Sequence, residues 1–246
     1  MKQLIVALDV DTAAEAHALA GTLRGIAGAF KIGSRLFTSE GPSVVESLVE
    51  RGDRVFLDLK FHDIPTTVAG AVAAATRLGV WMVNVHASGG VAMMRAAREA
   101  GHHEAARLSR PAPLIIAVTV LTSLDEETLG EVGFANRIPD QVARLAALAQ
   151  QAGLDGVVAS PLEVAIIRQR CGSAFEIVTP GIRGYGPTPT AAERGVPGPV
   201  DDQNRTMSAP EALTAGATYL VVGRPIVSAA DPRAAAERIA AQCHPS

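Results

Sequence analysis

The sequence has few cysteines and no excess of positive charge. Its 246 residues include two cysteines, and 22 Lys and Arg against 25 Asp and Glu give a formal net charge of −3. Cys171 and Cys243 stand far apart, at no spacing typical of a metal or redox motif. A chain without a basic surplus also lacks the electrostatic signature of a nucleic-acid-binding protein. We therefore expect two chemically inert cysteines and no nucleic-acid partner.

Long hydrophobic runs are also missing. The apolar run at residues 4–8 ends at Asp9, which is too early for a signal peptide or a membrane-spanning helix. No later run reaches membrane length. We therefore expect a soluble, cytoplasmic protein without a membrane partner.

The sequence does contain eight short apolar runs. They lie at residues 4–10, 30–34, 55–61, 81–87, 114–121, 156–160, 177–181 and 219–223. Stretches with helical periodicity follow them, at residues 13–23, 42–51, 68–78, 91–100, 140–152, 162–170, 210–215 and 232–242. Strands rich in Val, Ile and Leu that alternate with helices indicate a parallel sheet covered on its faces.

The fold class that fits this alternation is α/β, as a single (β/α)8 TIM barrel domain over residues 1–246. Eight strand–helix units in a chain of this length favour it. A doubly wound open sheet is the alternative, but no G-x-G-x-x-G motif follows the first strand. In such barrels the functional side chains lie at the C-terminal ends of the strands. Polar residues stand at that end of six predicted strands, among them Asp9, Lys31, Asp58, Lys60, Thr122, Arg183 and Arg224.

The third predicted strand ends in two charged residues on one face. Side chains alternate along a strand, so Asp58 and Lys60 project to the same side, and Asp63 follows three residues later. Two carboxylates close to an ammonium favour its protonated form, which suits a lysine that delivers a proton to carbon. A purely structural interpretation stays open: an ion pair in a barrel layer, with Asp63 as the N-cap of a helix that has Pro65 in its first turn.

Two arginines follow glycines after the last two predicted strands. Arg183 comes shortly after Gly181, and Arg224 directly follows Gly223. A phosphate site in TIM barrels frequently forms from these two loops, because glycine lets backbone amides approach and arginine binds phosphate through two donors. The Gly- and Pro-rich stretch at residues 184–203 is predicted to be a lid over that phosphate.

The chain resembles the bacterial orotidine 5′-phosphate decarboxylase family over nearly its whole length. The resemblance is carried by the string D-x-K-x-x-D-I-P-x-T at residues 58–67. Shorter segments in the same order are Asp9 and residues 31–33, 83–87, 121–123, 179–183, 202–203 and 222–225. The stretch between Arg183 and Gln203 looks longer than in that family.

The resemblance implies conversion of orotidine 5′-monophosphate (OMP) to UMP and CO2 in de novo pyrimidine biosynthesis, without a metal or other cofactor. It implies that Lys60 protonates C6 of the pyrimidine and that Asp58 faces the departing carboxylate. Lys31 and Asp9 would hold the ribose hydroxyls, with Lys31 also a member of the catalytic chain of charges. The further substrate contacts that it implies are Thr122 near the pyrimidine, Arg183, Gln203 and Arg224 at the phosphate, and Pro180 and Gly223.

The resemblance also implies a homodimer with shared active sites. In such a dimer Asp63, Ile64 and Thr67 of one chain reach into the site of the other chain. Asp63 would then complete the catalytic group of its partner.

Two other functions stay open. One is a magnesium-dependent sugar-phosphate decarboxylase or lyase of the same suprafamily, whose members resemble this chain in having D-x-K-x-x-D. The resemblance to that group implies a Glu as metal ligand on the second strand, at the position where this chain has Lys31. An ammonium at that position repels Mg²⁺. A phosphate-binding barrel without activity is disfavoured, because unused buried charges are costly. His86, on the same predicted face as Asn84, is expected to be a hydrogen-bonded core residue and not a metal ligand.

Overall fold

Eight parallel strands pair in sequence order and close into a barrel. The computed structural model describes residues 1–135, 137–183 and 205–243. Each strand pairs with the next, and β8 returns to β1, where Leu4 pairs with Leu220. The strands are β1 Leu4–Ala7, β2 Ala29–Gly33, β3 Val55–Phe61, β4 Met82–His86, β5 Leu114–Val118, β6 Gly156–Val158, β7 Glu176–Thr179 and β8 Tyr219–Val222. The predicted α/β class and (β/α)8 barrel are confirmed.

Helices cover the outside of the barrel. They are α1 Ala13–Leu23, α2 Ser34–Glu40, α3 Ser43–Glu50, α4 Pro65–Arg77, α5 Gly90–Arg107, α6 Glu126–Glu131, α7 Ile138–Gln151, α8 Val164–Cys171, α9 Ala209–Ala215, α10 Arg224–Val227 and α11 Pro232–Cys243. The sequence did not predict α2, α6 or α10, which have seven, six and four residues. Helices this short show no clear apolar period. In the described parts of the chain, no helix combines the length and the apolar character needed to cross a membrane.

Apolar side chains fill the inside of the barrel below the C-terminal ends of the strands. The inner cluster consists of Ile5, Ala7, Ala29, Phe56, Met82, Ile116, Val178 and Val221. At the N-terminal end, the rings of Trp81 and Tyr219 pack edge to face with centroids 5.1 Å apart. The guanidinium carbon of Arg54 lies 3.9 Å from the centroid of the Trp81 ring. The packed interior leaves the C-terminal end as the place for polar chemistry.

The starts of two helices follow capping signals in the sequence. Thr12 and Glu15 form a capping box at α1, and Ser208 and Glu211 form one at α9. In each box two backbone N–H groups that lack a helical partner find a side-chain acceptor. These caps fix where the chain leaves the loops at the C-terminal ends of β1 and β7 and enters the outer helices.

Candidate active site

A cavity of about 620 Å³ opens at the C-terminal ends of the strands. Its apolar floor is formed by side chains of the barrel interior, including Ala7, Phe56 and Val221. Nine of the predicted site residues line it: Asp9, Lys31, Asp58, Lys60, Thr122, Pro180, Arg183, Gly223 and Arg224. A second depression, of about 700 Å³, lies between α7 and α8 on the outer surface and contains none of them.

Four charged side chains of alternating sign form a chain along one wall of the cavity. The Lys60 Nζ lies 2.7 Å from Asp58 Oδ1, and the Lys31 Nζ lies 3.4 Å from Asp58 Oδ2. The Lys31 Nζ also lies 3.4 Å from Asp9 Oδ1. Asp58 and Lys31 side chains are each 12% exposed, whereas Lys60 is 37% exposed. The ammonium of Lys60 is therefore the cation of this group that is both held by an ion pair and open to a ligand.

Asp58 and Lys60 lie in an irregular part of β3. Leu57 pairs with Val83 of β4, but the next pair joins Phe61 to Val85, so the register shifts between them. Lys60 has a φ of +52°, in the left-handed region that a non-glycine residue rarely adopts. The two side chains thus lie on the same side of β3, as predicted, at a point where the pairing of the strand is irregular.

Asn84 of β4 stands opposite this irregularity and was not predicted as a site residue. Its side chain is fully buried. Its Oδ1 accepts a hydrogen bond from the Lys60 backbone N–H at 2.8 Å, and its Nδ2 donates to Asp58 Oδ1 at 2.7 Å. The inward-facing position of an Asn on β4 was the only signal for it in the sequence.

The surroundings of Asp58 stabilise its ionised form. Burial alone would raise the pKa of this carboxyl, but the ammonium groups of Lys31 and Lys60 and the hydrogen bonds from Lys60 and Asn84 outweigh burial and hold the pKa below its usual value. An opposite charge within a few ångströms has this effect on an acid. Asp58 is therefore a carboxylate at neutral pH.

His86 lies at the end of β4, and its ring contacts the ring of His62 at a centroid distance of 5.3 Å. It is half-buried, and among the described residues no hydrogen bond to its ring is found. The prediction of a hydrogen-bonded core histidine was wrong, since the ring lies beyond the apolar interior. Burial lowers the pKa of His86, with help from His62 and Lys60, so its ring is neutral at pH 7.

The loops after β7 and β8 bring two of the three predicted phosphate ligands, Arg183 and Arg224, to the same cavity. Pro180 and Arg183 line it from the first loop, and Gly223 and Arg224 line it from the second. A Cβ added at Gly223 would lie 3.1 Å from Asp9 Oδ2, so a larger residue would crowd the end of the charge chain. Gln203 and the predicted lid at residues 184–203 lie outside the described residues.

The three residues predicted to serve a partner lie outside the cavity of their own chain. Asp63, Ile64 and Thr67 are exposed, Ile64 to 64%. The Asp63 Oδ1 accepts a hydrogen bond from the Ile64 backbone N–H at 2.6 Å. Ile64 occupies the N-cap position of α4, and Pro65 lies in the first turn as expected. The interpretation of Asp63 as the N-cap was therefore wrong.

A second buried ion pair lies beside the cavity and was also not predicted. Arg205 Nη1 donates to Glu163 Oε1 at 2.8 Å, and their side chains are 11% and 4% exposed. The Arg205 Nη2 donates to the Leu121 carbonyl at 3.0 Å, next to Thr122. Burial raises the pKa of Glu163, an effect that Arg205 and Ser160 reduce but do not reverse. Arg205 thus connects the chain before α9 to the turn after β6, through Glu163, and to the loop after β5, through Leu121.

The described parts of the chain show neither a site for a metal ion nor an activated thiol. Within residues 1–135, 137–183 and 205–243, no group of three or more His, Cys, Asp or Glu side chains is arranged to hold a metal ion. Cys171 is buried and Cys243 is half-buried, and neither forms a disulfide. Burial raises the pKa of both thiols, which disfavours the reactive thiolate.

Comparison with known proteins identifies relatives that match nearly the whole chain. The model of the "Orotidine 5'-phosphate decarboxylase / HUMPS family" matches residues 2–239. Orotidine 5′-phosphate decarboxylase from Moorella thermoacetica is 56% identical over 241 residues, which is 98% of this chain and 91% of that protein. The same enzyme from Syntrophotalea carbinolica is 52% identical over 238 residues, with 97% and 93% covered.

Solved structures agree with the sequence comparison. The crystal structure of orotidine 5′-phosphate decarboxylase from Lactobacillus acidophilus is similar with a TM-score of 0.82 and 34% identity, covering 98% of both chains. An uncharacterized conserved protein from Geobacillus kaustophilus is similar with a TM-score of 0.80 and 38% identity, covering 98% of this chain and 100% of that one.

Proposed function

The chain belongs to the orotidine 5′-phosphate decarboxylase / HUMPS family, and from that premise we propose that its charged cavity converts OMP to UMP and CO2. This carboxy-lyase reaction is a step of pyrimidine biosynthesis. The names of the relatives at 56% and 52% identity support it over the sugar-phosphate alternative. Lys31 supports it too, because an ammonium 3.4 Å from Asp58 opposes a magnesium ion there.

The observation that carries the mechanism is the pairing of the Lys60 ammonium with Asp58 at 2.7 Å in the cavity lined by Arg183 and Arg224. The substrate phosphate binds the two arginines, and the pyrimidine lies toward the charge chain near Thr122. Lys31 and Asp9 hold the ribose hydroxyls. Binding energy from the phosphate, far from the reacting carbon, then holds the pyrimidine in place.

Decarboxylation breaks the bond between C6 and the carboxylate carbon and leaves the electron pair on C6. The Lys60 ammonium stabilises this carbanion by fixed electrostatics. One N–H proton of Lys60 then moves to C6, which gives UMP, and the neutral amine regains a proton from solvent. Asp58 keeps Lys60 protonated before the reaction, and its charge lies beside the substrate carboxylate, whose departure as CO2 relieves the repulsion.

The test is to follow the loss of OMP by its ultraviolet absorbance with wild-type protein and two lysine variants. Lys60→Ala should lower turnover about 10,000-fold or more, because a general acid and a fixed charge are both lost. UMP binding should remain measurable. Lys2→Ala, which changes an exposed lysine, is the matched control and should have wild-type turnover. Substantial activity in Lys60→Ala would contradict the assignment.

The absence of a cofactor requirement is tested in the same assay after exhaustive EDTA treatment. We expect full activity without added metal, because the proposed steps use only side chains of the protein. Activity that disappears with EDTA and returns with Mg²⁺ would favour the sugar-phosphate enzyme group instead.

A homodimer with shared active sites is part of the proposal. Asp63, Ile64 and Thr67 are exposed beside the start of α4, outside the cavity that holds Lys60. This position suits residues that act in a partner chain. A two-fold dimer makes the exchange reciprocal, so that each chain lends its Asp63 to the other. We also propose that residues 1–246 form one domain. The relatives of this chain are metabolic enzymes, which supports a cytoplasmic location.

Mixing two inactive variants tests the shared site. In a mixed dimer of Lys60→Ala and Asp63→Ala chains, one site carries both changes and the other carries neither. Random pairing of equal amounts should restore about a quarter of all sites. If Asp63 serves its own chain, every site keeps one change and the mixture stays inactive. Subunit exchange must be confirmed separately, for example with two different affinity tags.

A further inference from the structure

We infer that Asn84 is a positioning residue for the decarboxylation, because its one amide group holds both the backbone of Lys60 and the carboxylate of Asp58. This inference rests on the proposed function. Neither the charge chain nor the phosphate end of the cavity includes Asn84, and it does not line the cavity. Its action is therefore indirect, through two groups that do line it.

The first part of the argument is the mismatch between β3 and β4. Between the pairs Leu57–Val83 and Phe61–Val85, β3 has three residues and β4 has only Asn84. A regular parallel ladder cannot satisfy the backbone groups of a strand with two extra residues. The side-chain Oδ1 of Asn84 accepts from the Lys60 N–H at 2.8 Å, in place of the carbonyl that the register shift removes.

The second part is the conformation of Lys60. A left-handed backbone is unfavourable for a residue with a Cβ, and it persists only where the surroundings hold it. The side chain of Lys60 in this conformation lies at the cavity, with its Nζ 2.7 Å from Asp58 Oδ1. The hydrogen bond that the Lys60 N–H donates to Asn84 Oδ1 is the described contact that holds the Lys60 backbone in this conformation.

The third part is the bond from Asn84 Nδ2 to Asp58 Oδ1 at 2.7 Å. The same oxygen accepts from Lys60 Nζ at 2.7 Å, while Oδ2 faces Lys31. Three groups, the Asn84 amide and the two ammonium groups, thus fix the orientation of the Asp58 carboxylate. The amide can bind in one orientation only, because the Lys60 N–H requires an acceptor and the Asp58 carboxylate requires a donor.

An asparagine is suited to both bonds, and common substitutions separate them. Asn84→Ala removes both. Asn84→Asp has the same shape and keeps an acceptor for the Lys60 N–H, but it loses the donor to Asp58 and brings a second negative charge beside it. If only the backbone contact mattered, the Asp variant would be active.

We expect Asn84→Ala to lower kcat about 100-fold, the size of effect that follows from displacing a reacting group by about 1 Å. KM and the stoichiometry of UMP binding should change less than about threefold, since the phosphate contacts are untouched. Exchange of the C6 hydrogen of bound UMP for deuterium should slow by a similar factor, because it needs the same proton transfer. Asn84→Asp should lose at least as much activity.

Thr119→Val is the matched control. The buried Thr119 Oγ1 donates to the Val158 carbonyl at 2.9 Å, so this variant also loses an internal hydrogen bond near the same end of the barrel. It should keep wild-type kcat. If Asn84→Ala does not fold, Asn84→Asp decides the question, since its volume is unchanged.

Wild-type kcat in either Asn84 variant would overturn the inference, as would a loss in both that comes only from fewer UMP-binding sites. The wild-type assay is performed first. A wild-type protein that does not decarboxylate OMP contradicts the proposed function, whereas an active wild type with unaffected Asn84 variants contradicts the role of Asn84 alone.

Discussion

Asp58 and Glu163 are both buried carboxylates that pair with cations, yet their pKa values move in opposite directions. Both oxygens of Asp58 have charged partners, and a neutral amide adds a third bond. Glu163 has one arginine on Oε1, and its Oε2 has no hydrogen-bond partner among the described residues. Burial raises the pKa of both, but only at Asp58 do the partners outweigh it.

The difference teaches that the number of partners decides whether the raising effect of burial on the pKa is overcome. Asp58 stays ionised and holds two ammonium groups in place for chemistry. The raised pKa of Glu163 makes its carboxyl easier to protonate than that of Asp58. We therefore expect its bond to Arg205 to act mainly as a structural connection between loops. Removing the charge from each carboxylate should therefore have very different effects.

The largest effect is expected for Asp58→Asn. Turnover should fall about 1,000-fold or more, because Lys31 and Lys60 lose the anion between them and Lys60 loses its fixed position. Overall folding should persist, since Lys31 keeps Asp9 and Lys60 is partly exposed. Steady-state kinetics and circular dichroism measure the two quantities. A variant with near-wild-type turnover would mean that Asp58 has only a structural role.

The second effect is expected for Arg205→Met. This change leaves the Glu163 charge buried without its cation, which should lower the free energy of unfolding by about 3 kcal/mol at pH 8. The pKa of Glu163 is already raised in the fold, and loss of Arg205 raises it further. Stability is therefore regained as the pH falls through this raised pKa and the carboxyl takes up a proton. The deficit should shrink at pH 5.

Urea unfolding at pH 8 and pH 5 measures this dependence. Arg144→Met, which changes an exposed arginine on α7, is the control and should alter the free energy of unfolding by less than about 0.5 kcal/mol. A deficit in Arg205→Met that does not change between the two pH values would show that Glu163 does not titrate as described.

The smallest effect is expected for Glu163→Gln, the same chemical change as Asp58→Asn. The substitution removes the buried carboxylate charge, and the amide oxygen can still accept from Arg205. The guanidinium loses its anion at 11% exposure, but it keeps this hydrogen bond and its bond to the Leu121 carbonyl at 3.0 Å. The free energy of unfolding should change by about 1 kcal/mol or less, and turnover should stay within a fewfold of wild type. A loss of 3 kcal/mol would show that the fold requires the charge of Glu163.

The barrel could be predicted because its signal is local. Each strand is a short run of Val, Ile and Leu, and the C-terminal ends of parallel strands meet at one place. This rule alone predicted one site for a set of residues that do line one cavity: Asp9, Lys31, Asp58, Lys60 and Arg224. Strand ends were set too late, as at residues 114–121 against Leu114–Val118, because apolar residues continue into the loops that line the cavity.

Asn84 and Arg205 could not be predicted, because their roles depend on distant contacts. Asn84 bonds to residues 24 and 26 positions away, and Arg205 to residues 42 and 84 positions away. The left-handed Lys60 was equally hidden, since lysine is not a residue type that favours this conformation. Local pattern gave no sign that β3 carries two extra residues.

Closure of the barrel between β1 and β8 has a consequence for synthesis on the ribosome. Leu4 finds its partner Leu220 only after about 200 further residues are made, which takes roughly 10 to 40 s at about 5–20 residues per second. During that time one edge of β1 has no neighbouring strand, and open edges invite pairing with other chains. The nascent chain therefore carries an open strand edge until its last strand emerges.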